Sequence, residues 1–301
     1  MSLLVTGSIG IDTVRTPFGV SQDCIGGSAV YFSMAACYFN PVRLLGVVGG
    51  DCPFDLAEIF SGKDVDLQGL EVRDASKTFR WSGTYQDNMN MRQTDGVELN
   101  VLAEEPPHVP KVYNNSRYVF LANTAPSLQM QLLGQLGEAE FVAADTMDHW
   151  IKTAASDLRE LLEKIDMLVL NDEEVRLLTS QYNLVTAAQQ ILKMGPRAVI
   201  IKKGEHGSMM YNSDGDCFIL PAYPATVVID PTGAGDSFAG GLMGHLAQVG
   251  KVDSVSLRNA MVYGTIAASF TVGDFSIHGI KAIDISAIEE RVHTLRRVTN
   301  F

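Results

Sequence analysis

Four cysteines, Cys24, Cys37, Cys52 and Cys217, are all that this 301-residue chain carries. None forms a Cys-x-x-Cys pair, and with six histidines they make no zinc-ligand spacing, so they read as free thiols. Basic residues are also scarce: 23 Lys and Arg against 35 Asp and Glu give a net charge of −12. Such a surface repels phosphate backbones and anionic lipid, and no basic run offers a local exception. Neither nucleic acid nor a membrane is expected as a partner. No run approaches the roughly 18 apolar residues of a spanning helix. Met1 to Gly10 lacks the basic start of a signal peptide and reads as a first strand, so the expected compartment is the cytoplasm. The patterns of a P-loop, a dinucleotide-binding turn and a hydrolase elbow are absent too.

What is present is an ordinary globular composition, 46% hydrophobic and 19% charged, with an excess of glycine. The 27 glycines are about 9% of the chain, against an average near 7%. Short apolar runs at 3–9, 42–48, 117–122, 140–145, 166–170 and 198–202 predict buried parallel strands. Helical patterns at 28–39, 127–136, 153–164 and 186–194 lie between most of them, and from Gly235 onward the chain reads as mostly helical, with a last helix near 286–298. Strand alternating with helix predicts one α/β domain over 1–301, a doubly wound, mostly parallel sheet flanked by helices.

Residues 77–102 break that rhythm. Phe79, Trp81 and Tyr85 precede a polar turn and a second extended stretch, which predicts a small antiparallel ribbon. Residues 11–25, with Pro17 and Gly19, add further strands to it. A sheet this small cannot bury both faces, so it must cover a substrate, a second subunit or both.

The strongest motif runs from Val227 to Leu242. A β-rich stretch leads through Asp230-Pro231-Thr232 into Gly233-Ala234-Gly235, and Asp236 then opens an amphipathic helix. Unpaired N–H groups at such a helix start carry the positive end of its dipole and form an anion site. Asp236 stands beside it, placed to take a proton from an attacking hydroxyl. Taken alone, Asp236 is better read as an early-helix carboxylate that the dipole stabilises. The full string, with Asp230 and Gly240-Gly241, is far more specific.

At these residues the chain resembles the ribokinase-like (PfkB) carbohydrate kinases, matching their C-terminal signature over 230–243. The resemblance implies a ribokinase-like α/β fold with a β lid. It implies Asp236 as catalytic base and Gly233, Ala234 and Gly235 as the anion hole. Other matches follow in family order. Gly7 to Asp12 places Asp12 on acceptor hydroxyls, and a carboxylate can accept two of them. Gly26-Gly27 marks the hinge between core and lid. The family's usual Asn is Tyr31 here, which exchanges an amide contact for a ring. Asn171 and Glu174 match the motif that organises magnesium and phosphate, with Glu174 acting on the metal through water; they also read as a plain helix cap. Lys202, Gly204 and Gly207 match the loop over the nucleotide phosphates, or a hairpin turn. Asn123 and Asp145 end two predicted strands, where ligands of open α/β sheets bind; Trp150 is a further candidate there.

The implied activity is transfer of the ATP γ-phosphoryl group, with Mg²⁺, to a primary hydroxyl of a sugar. A nucleoside is the alternative acceptor, with the lid aromatics and Tyr31 stacking on its base. A sugar- or nucleotide-binding protein without catalysis is the third reading, opposed by the intact Asp236 turn. The resemblance also admits a monovalent cation and a homodimer paired through the lid.

Overall fold

The computed structural model describes residues 1–300. In chain order its strands are β1 (Leu3–Thr6), β2 (Gly10–Thr16), β3 (Gly19–Gly26), β4 (Val42–Gly49), β5 (Val65–Arg73), β6 (Phe79–Tyr85), β7 (Arg92–Glu98), β8 (Tyr118–Leu121), β9 (Phe141–Asp145), β10 (Met167–Asn171), β11 (Ala198–Lys202), β12 (Ser208–Asn212) and β13 (Cys217–Leu220). Nine of them form one sheet in the order β13-β12-β11-β10-β9-β8-β1-β4-β5. Its pairings are parallel from β5 across to β11 and antiparallel only in the β11–β12–β13 meander at one edge.

The central strands are apolar at every position because both faces are covered. Leu3 and Val5 of β1 point into one core layer, while Leu4 between them points into the other, as a period of two demands. The first layer holds α1 (Ser28–Ala36). The helices α2 (Leu56–Ile59), α3 (Pro126–Gln135), α4 (Asp148–Thr153), α5 (Ala155–Leu162), α6 (Asp172–Thr179) and α7 (Leu184–Leu192) follow along the chain, and α3 and α5–α7 build the second layer. The C-terminal helices α8 (Ala234–Val249), α9 (Ser254–Thr271), α10 (His278–Lys281) and α11 (Ile285–Thr299) complete the first. The helix expected at 153–164 is α5, and a short helix not expected from sequence, α4, precedes it, the two meeting at Ala154.

Helix α8 runs through the centre of its layer. Its glycines let backbones touch: a Cβ on Gly240 would lie 2.3 Å from Phe32 O of α1, and one on Gly241 2.7 Å from Tyr263 O of α9. That close packing fixes where the N-terminus of α8 points.

The second sheet has the order β3-β2-β6-β7 and contains the two segments expected to form the ribbon. It is not wholly antiparallel. Strands β2 and β6 run parallel: β2 follows β1 and β6 follows β5, two strands that point the same way in the large sheet with β4 between them. Among the described residues no helix is long and apolar enough to cross a membrane.

Candidate active site

Every parallel strand from β1 to β11 delivers its C-terminal end to the same side of the sheet, where ligands of open α/β sheets bind. Asp145 ends β9, Asn171 ends β10 and Lys202 ends β11. The start of α8 enters this row from above.

Gly233 is the N-cap of α8 with φ 75°, a left-handed turn that disfavours any side chain. Ala234 N–H donates to Pro231 O at 3.2 Å, and Ser237 N–H to Gly233 O at 2.8 Å. The N–H groups of Gly233 and Gly235 have no protein acceptor among the described residues, whereas that of Asp236 faces its own carboxylate. Of the 233–235 set expected from sequence, Gly233 and Gly235 keep their donors free and Ala234 spends its own within the turn. Asp230 braces the turn from behind: its carboxylate accepts from Thr232 N at 2.8 Å and Ser276 N at 3.3 Å.

Lys202 reaches the turn from β11, so close that a Cβ on Gly235 would lie 2.8 Å from its Nζ. Around this ammonium stand three carboxyls, Asp236, Asp145 and Glu174, and its charge favours the ionised form of each. Burial nevertheless prevails and holds all three above the usual carboxylate range, Asp145 well above it, with the Asp236 charge adding to Asp145. A carboxyl held above its ordinary range accepts a proton more readily than a free one.

Asn171 and Glu174 form a reciprocal capping box: Glu174 N donates to Asn171 Oδ1 and Asn171 N to Glu174 Oε2, each at 2.8 Å. The helix cap is thus real, and it leaves Glu174 part-buried beside the Lys202 charge.

On the lid side, Asp12 of β2 is 4% exposed, and a Cβ on Gly26 would overlap its carboxylate at 1.9 Å. Burial, then the charges of Asp230 and Asp236, push its carboxyl up to about 8. Asp12 and Asp236 therefore share one electrostatic site. Polar atoms there go unpaired. Asp12 Oδ1, the Tyr31 hydroxyl, Thr124 Oγ1, Asp145 Oδ1 and Thr146 Oγ1 are buried with no hydrogen-bond partner among the described residues. Buried polar atoms are rarely left so, and several together mark where a polar ligand binds.

Other expected residues are placed differently. Tyr31 is 1% exposed and its ring lies against Gly233, where a Cβ would meet it at 2.3 Å; the ring is a platform under the turn with no face free for stacking. Asn123 Oδ1 accepts from Trp150 Nε1 at 3.0 Å, so these two residues hold each other. Gly207 packs on β13, where a Cβ would meet Leu220 O at 2.0 Å. Gly27 is hemmed in by Ser8 O at 2.4 Å from such a Cβ, which fixes the hinge against β1.

Sequence reasoning missed the lid's reach. Thr232 Oγ1 donates to the Tyr85 hydroxyl at 3.3 Å, and at the tip of the β6–β7 hairpin Asn90 Nδ2 donates to Glu205 Oε1 at 2.9 Å. The lid is seated across the site, from the anion turn to the loop after β11. No local pattern in residues 86–92 signals this, because it depends on a partner more than a hundred positions away.

Comparison with known proteins gives a consistent picture. Residues 25–278 match the family described as pfkB family carbohydrate kinase. The chain is 27% identical over 253 residues to the cytidine kinase of Thermococcus kodakarensis, covering 81% of this chain and 87% of that one. The structure resembles Burkholderia thailandensis nucleoside kinase in complex with inosine, with a TM-score of 0.79 at 20% identity over 97% of this chain and 98% of that one. It also resembles a ribokinase II from E. coli in complex with ATP and Mg²⁺, with a TM-score of 0.75 at 18% identity over 97% and 99% of the two chains. At these identities the solved structures speak for a shared ribokinase-like fold.

Proposed function

The chain belongs to the pfkB family of carbohydrate kinases and is a phosphotransferase with a hydroxyl acceptor, and from that premise we propose that it moves the ATP γ-phosphoryl group to a primary hydroxyl of a sugar held by Asp12. The observation that carries this reading is one constellation: Asp236, the free amides of Gly233 and Gly235, and Lys202, facing the buried Asp12.

In this mechanism Asp12 and the unpaired polar atoms beside it orient the acceptor's hydroxyls. Asp236 takes the proton of the attacking hydroxyl as its oxygen bonds to phosphorus. The turn amides and Lys202 stabilise the charge on the phosphoryl oxygens as the bond to ADP breaks. The seated lid excludes water, which would otherwise compete as acceptor.

Magnesium fits the donor set. The ion keeps several waters and binds through one or two carboxylates together with substrate phosphates. Asp145, with a buried unpaired Oδ1, and Glu174 are such a pair, and no group of three ligating side chains exists among the described residues. Bound there, Mg²⁺ neutralises phosphate charge.

A nucleoside acceptor is the second reading. It is favoured by the names of the cytidine and nucleoside kinases that the chain resembles. Against it stands the burial of Tyr31, one of the rings expected to stack on a base.

Asp236→Asn tests the assignment. The variant should fold as the wild type does and lose about 10²–10⁴-fold in kcat, the range for a positioned base. Wild-type turnover in it would sink the reading. ADP release across pentoses, hexoses, cytidine and inosine then separates the two acceptor classes.

A further inference from the structure

Gln129 has no place in the motif series. It lies in the first turn of α3, in the second helix layer, and is 0% exposed. Its Nε2 donates to the strand ends: Leu121 O is 2.9 Å away, Ala122 O 3.1 Å and Asp145 O 3.2 Å, so two hydrogens serve three carbonyls. Those carbonyls sit where the sheet opens. Strands β8 and β9 pair from Tyr118 and Phe141 as far as Leu121 and Ala144. Past that point Ala122 N–H turns to Thr6 O of β1 at 2.8 Å, while Asp145 stays in register with Val169 of β10. The Gln129 amide bridges the fork between two diverging strands. Beyond it Asn123 crosses the same fork, its Nδ2 donating to Met147 Sδ at 3.2 Å.

Stability alone would not choose this residue. With Nε2 against three carbonyls, Oε1 points away from them, and it is buried with no hydrogen-bond partner among the described residues. A bare buried acceptor costs free energy, and native cores seldom keep one. What the amide contributes is its donors, and one of the groups they hold belongs to the site. Alternation along β9 puts the Asp145 side chain on the face of Ala143, toward the layer that holds α8. Gln129 grips the carbonyl of the same residue from the opposite layer. Asp145 Oδ1 is itself buried with no partner to hold it, so the direction of the carboxylate follows that of its backbone.

We propose that Gln129 is a positioning residue: by tying Asp145 O to the end of β8, it fixes the angle at which β9 presents the Asp145 carboxylate to metal and phosphate. The inference rests on the reading above, in which Asp145 and Glu174 hold Mg²⁺. Gln129 acts only through Asp145 and takes part in no bond-making step.

The test uses the full chain with Gln129→Met, Gln129→Glu, Asp145→Asn and a structural control, Asn183→Ala, which removes the cap of α7. ADP is titrated calorimetrically with and without Mg²⁺, and melting temperatures are recorded. The wild type should bind ADP more tightly with Mg²⁺, and Asp145→Asn should lose most of that gain. Gln129→Met keeps the length and has no donors. It should lose about tenfold of the gain, the lower end of what outer-shell partners contribute to metal affinity. Its affinity for ADP without the metal should match that of the wild type. Gln129→Glu keeps one hydrogen when its buried carboxyl is protonated, and should retain part of the gain. Asn183→Ala should melt a few degrees lower and keep the whole gain, which separates positioning from lost stability. A full gain in Gln129→Met beside a lost one in Asp145→Asn overturns the proposal and leaves the metal assignment standing. Equal weakening of ADP with and without Mg²⁺ in Gln129→Met overturns it too. A full gain in Asp145→Asn, or none in the wild type, refutes the metal assignment and the proposal with it. Should Gln129→Met fail to fold, Gln129→Glu decides: a reduced gain supports the proposal and an undiminished one overturns it.

Discussion

Gly235 and Lys202 stand against each other across the anion turn, with 2.8 Å between Nζ and the place of a Cβ on residue 235. The ammonium occupies the space a side chain would need. Gly235→Ala therefore pushes aside the free end of a flexible chain, which costs the fold little and displaces the cation from the turn. We expect a melting temperature close to wild type and kcat lower by roughly tenfold, the worth of about 1.4 kcal/mol in the barrier. Gly240→Ala makes the opposite case: its methyl meets Phe32 O, and backbone cannot step aside. Overpacking of this kind costs about 1–3 kcal/mol or more. Thermal melts and initial rates on the two variants check both. A Gly235→Ala enzyme with unchanged kcat would remove Lys202 from the anion site.

Asp12 makes stability depend on pH. Its carboxyl moves from an ordinary value of 3.8 to about 8 in the fold, chiefly by burial. Between those values the folded protein holds a proton that the unfolded chain releases. The stability this proton contributes is full below the lower value and is lost as pH rises toward the upper one. Asp12→Asn removes the ionisation, so its melting temperature should fall less between pH 5 and pH 8 than that of the wild type. A difference of roughly 3–6 °C is expected, since each kcal/mol moves a chain of this size by a few degrees. Parallel curves for the two proteins would show that Asp12 titrates normally.

The capping box separates two roles held by neighbouring residues. Asn171→Ala loses the cap and should cost about 0.5–2 kcal/mol in a denaturant titration. Glu174→Gln keeps an oxygen for Asn171 N–H and removes only the charge, so stability should change little. If Glu174 serves Mg²⁺ through water, the Mg²⁺ concentration for half-maximal activity should rise about 10–100-fold in this variant. An unchanged Mg²⁺ requirement would leave Glu174 as a cap and nothing more.

The parallel core was legible because its strands are covered on both faces and read as unbroken apolar runs. Edge strand β5 was not: its exposure varies along Val65–Arg73, and Asp66, Gln68 and Glu71 interrupt the pattern. The anion turn was legible because a helix start with small residues and one acid is a local feature. Tyr31 shows the limit of such reading. Its position in the chain suggested a stacking surface, and only the crossing of α1 and α8 reveals that Gly233 covers the ring. Asn90 lay beyond reach for the same reason, since it sits at the hairpin tip before β7, a strand exposed along its whole length that carries no burial pattern.

The crossing of α8 with α1 and α9 also bears on synthesis. A growing polypeptide emerges N-terminus first, at about 5–20 residues per second. Asp12, Gly26 and Tyr31 leave the ribosome some two hundred residues before Asp236, and the helix that carries Asp236 is wedged between α1 and the still later α9. A nascent chain thus carries the proposed acceptor-binding carboxylate long before the proposed base and anion turn. On the kinase reading, a chain interrupted before residue 233 is inert rather than a wasteful consumer of ATP.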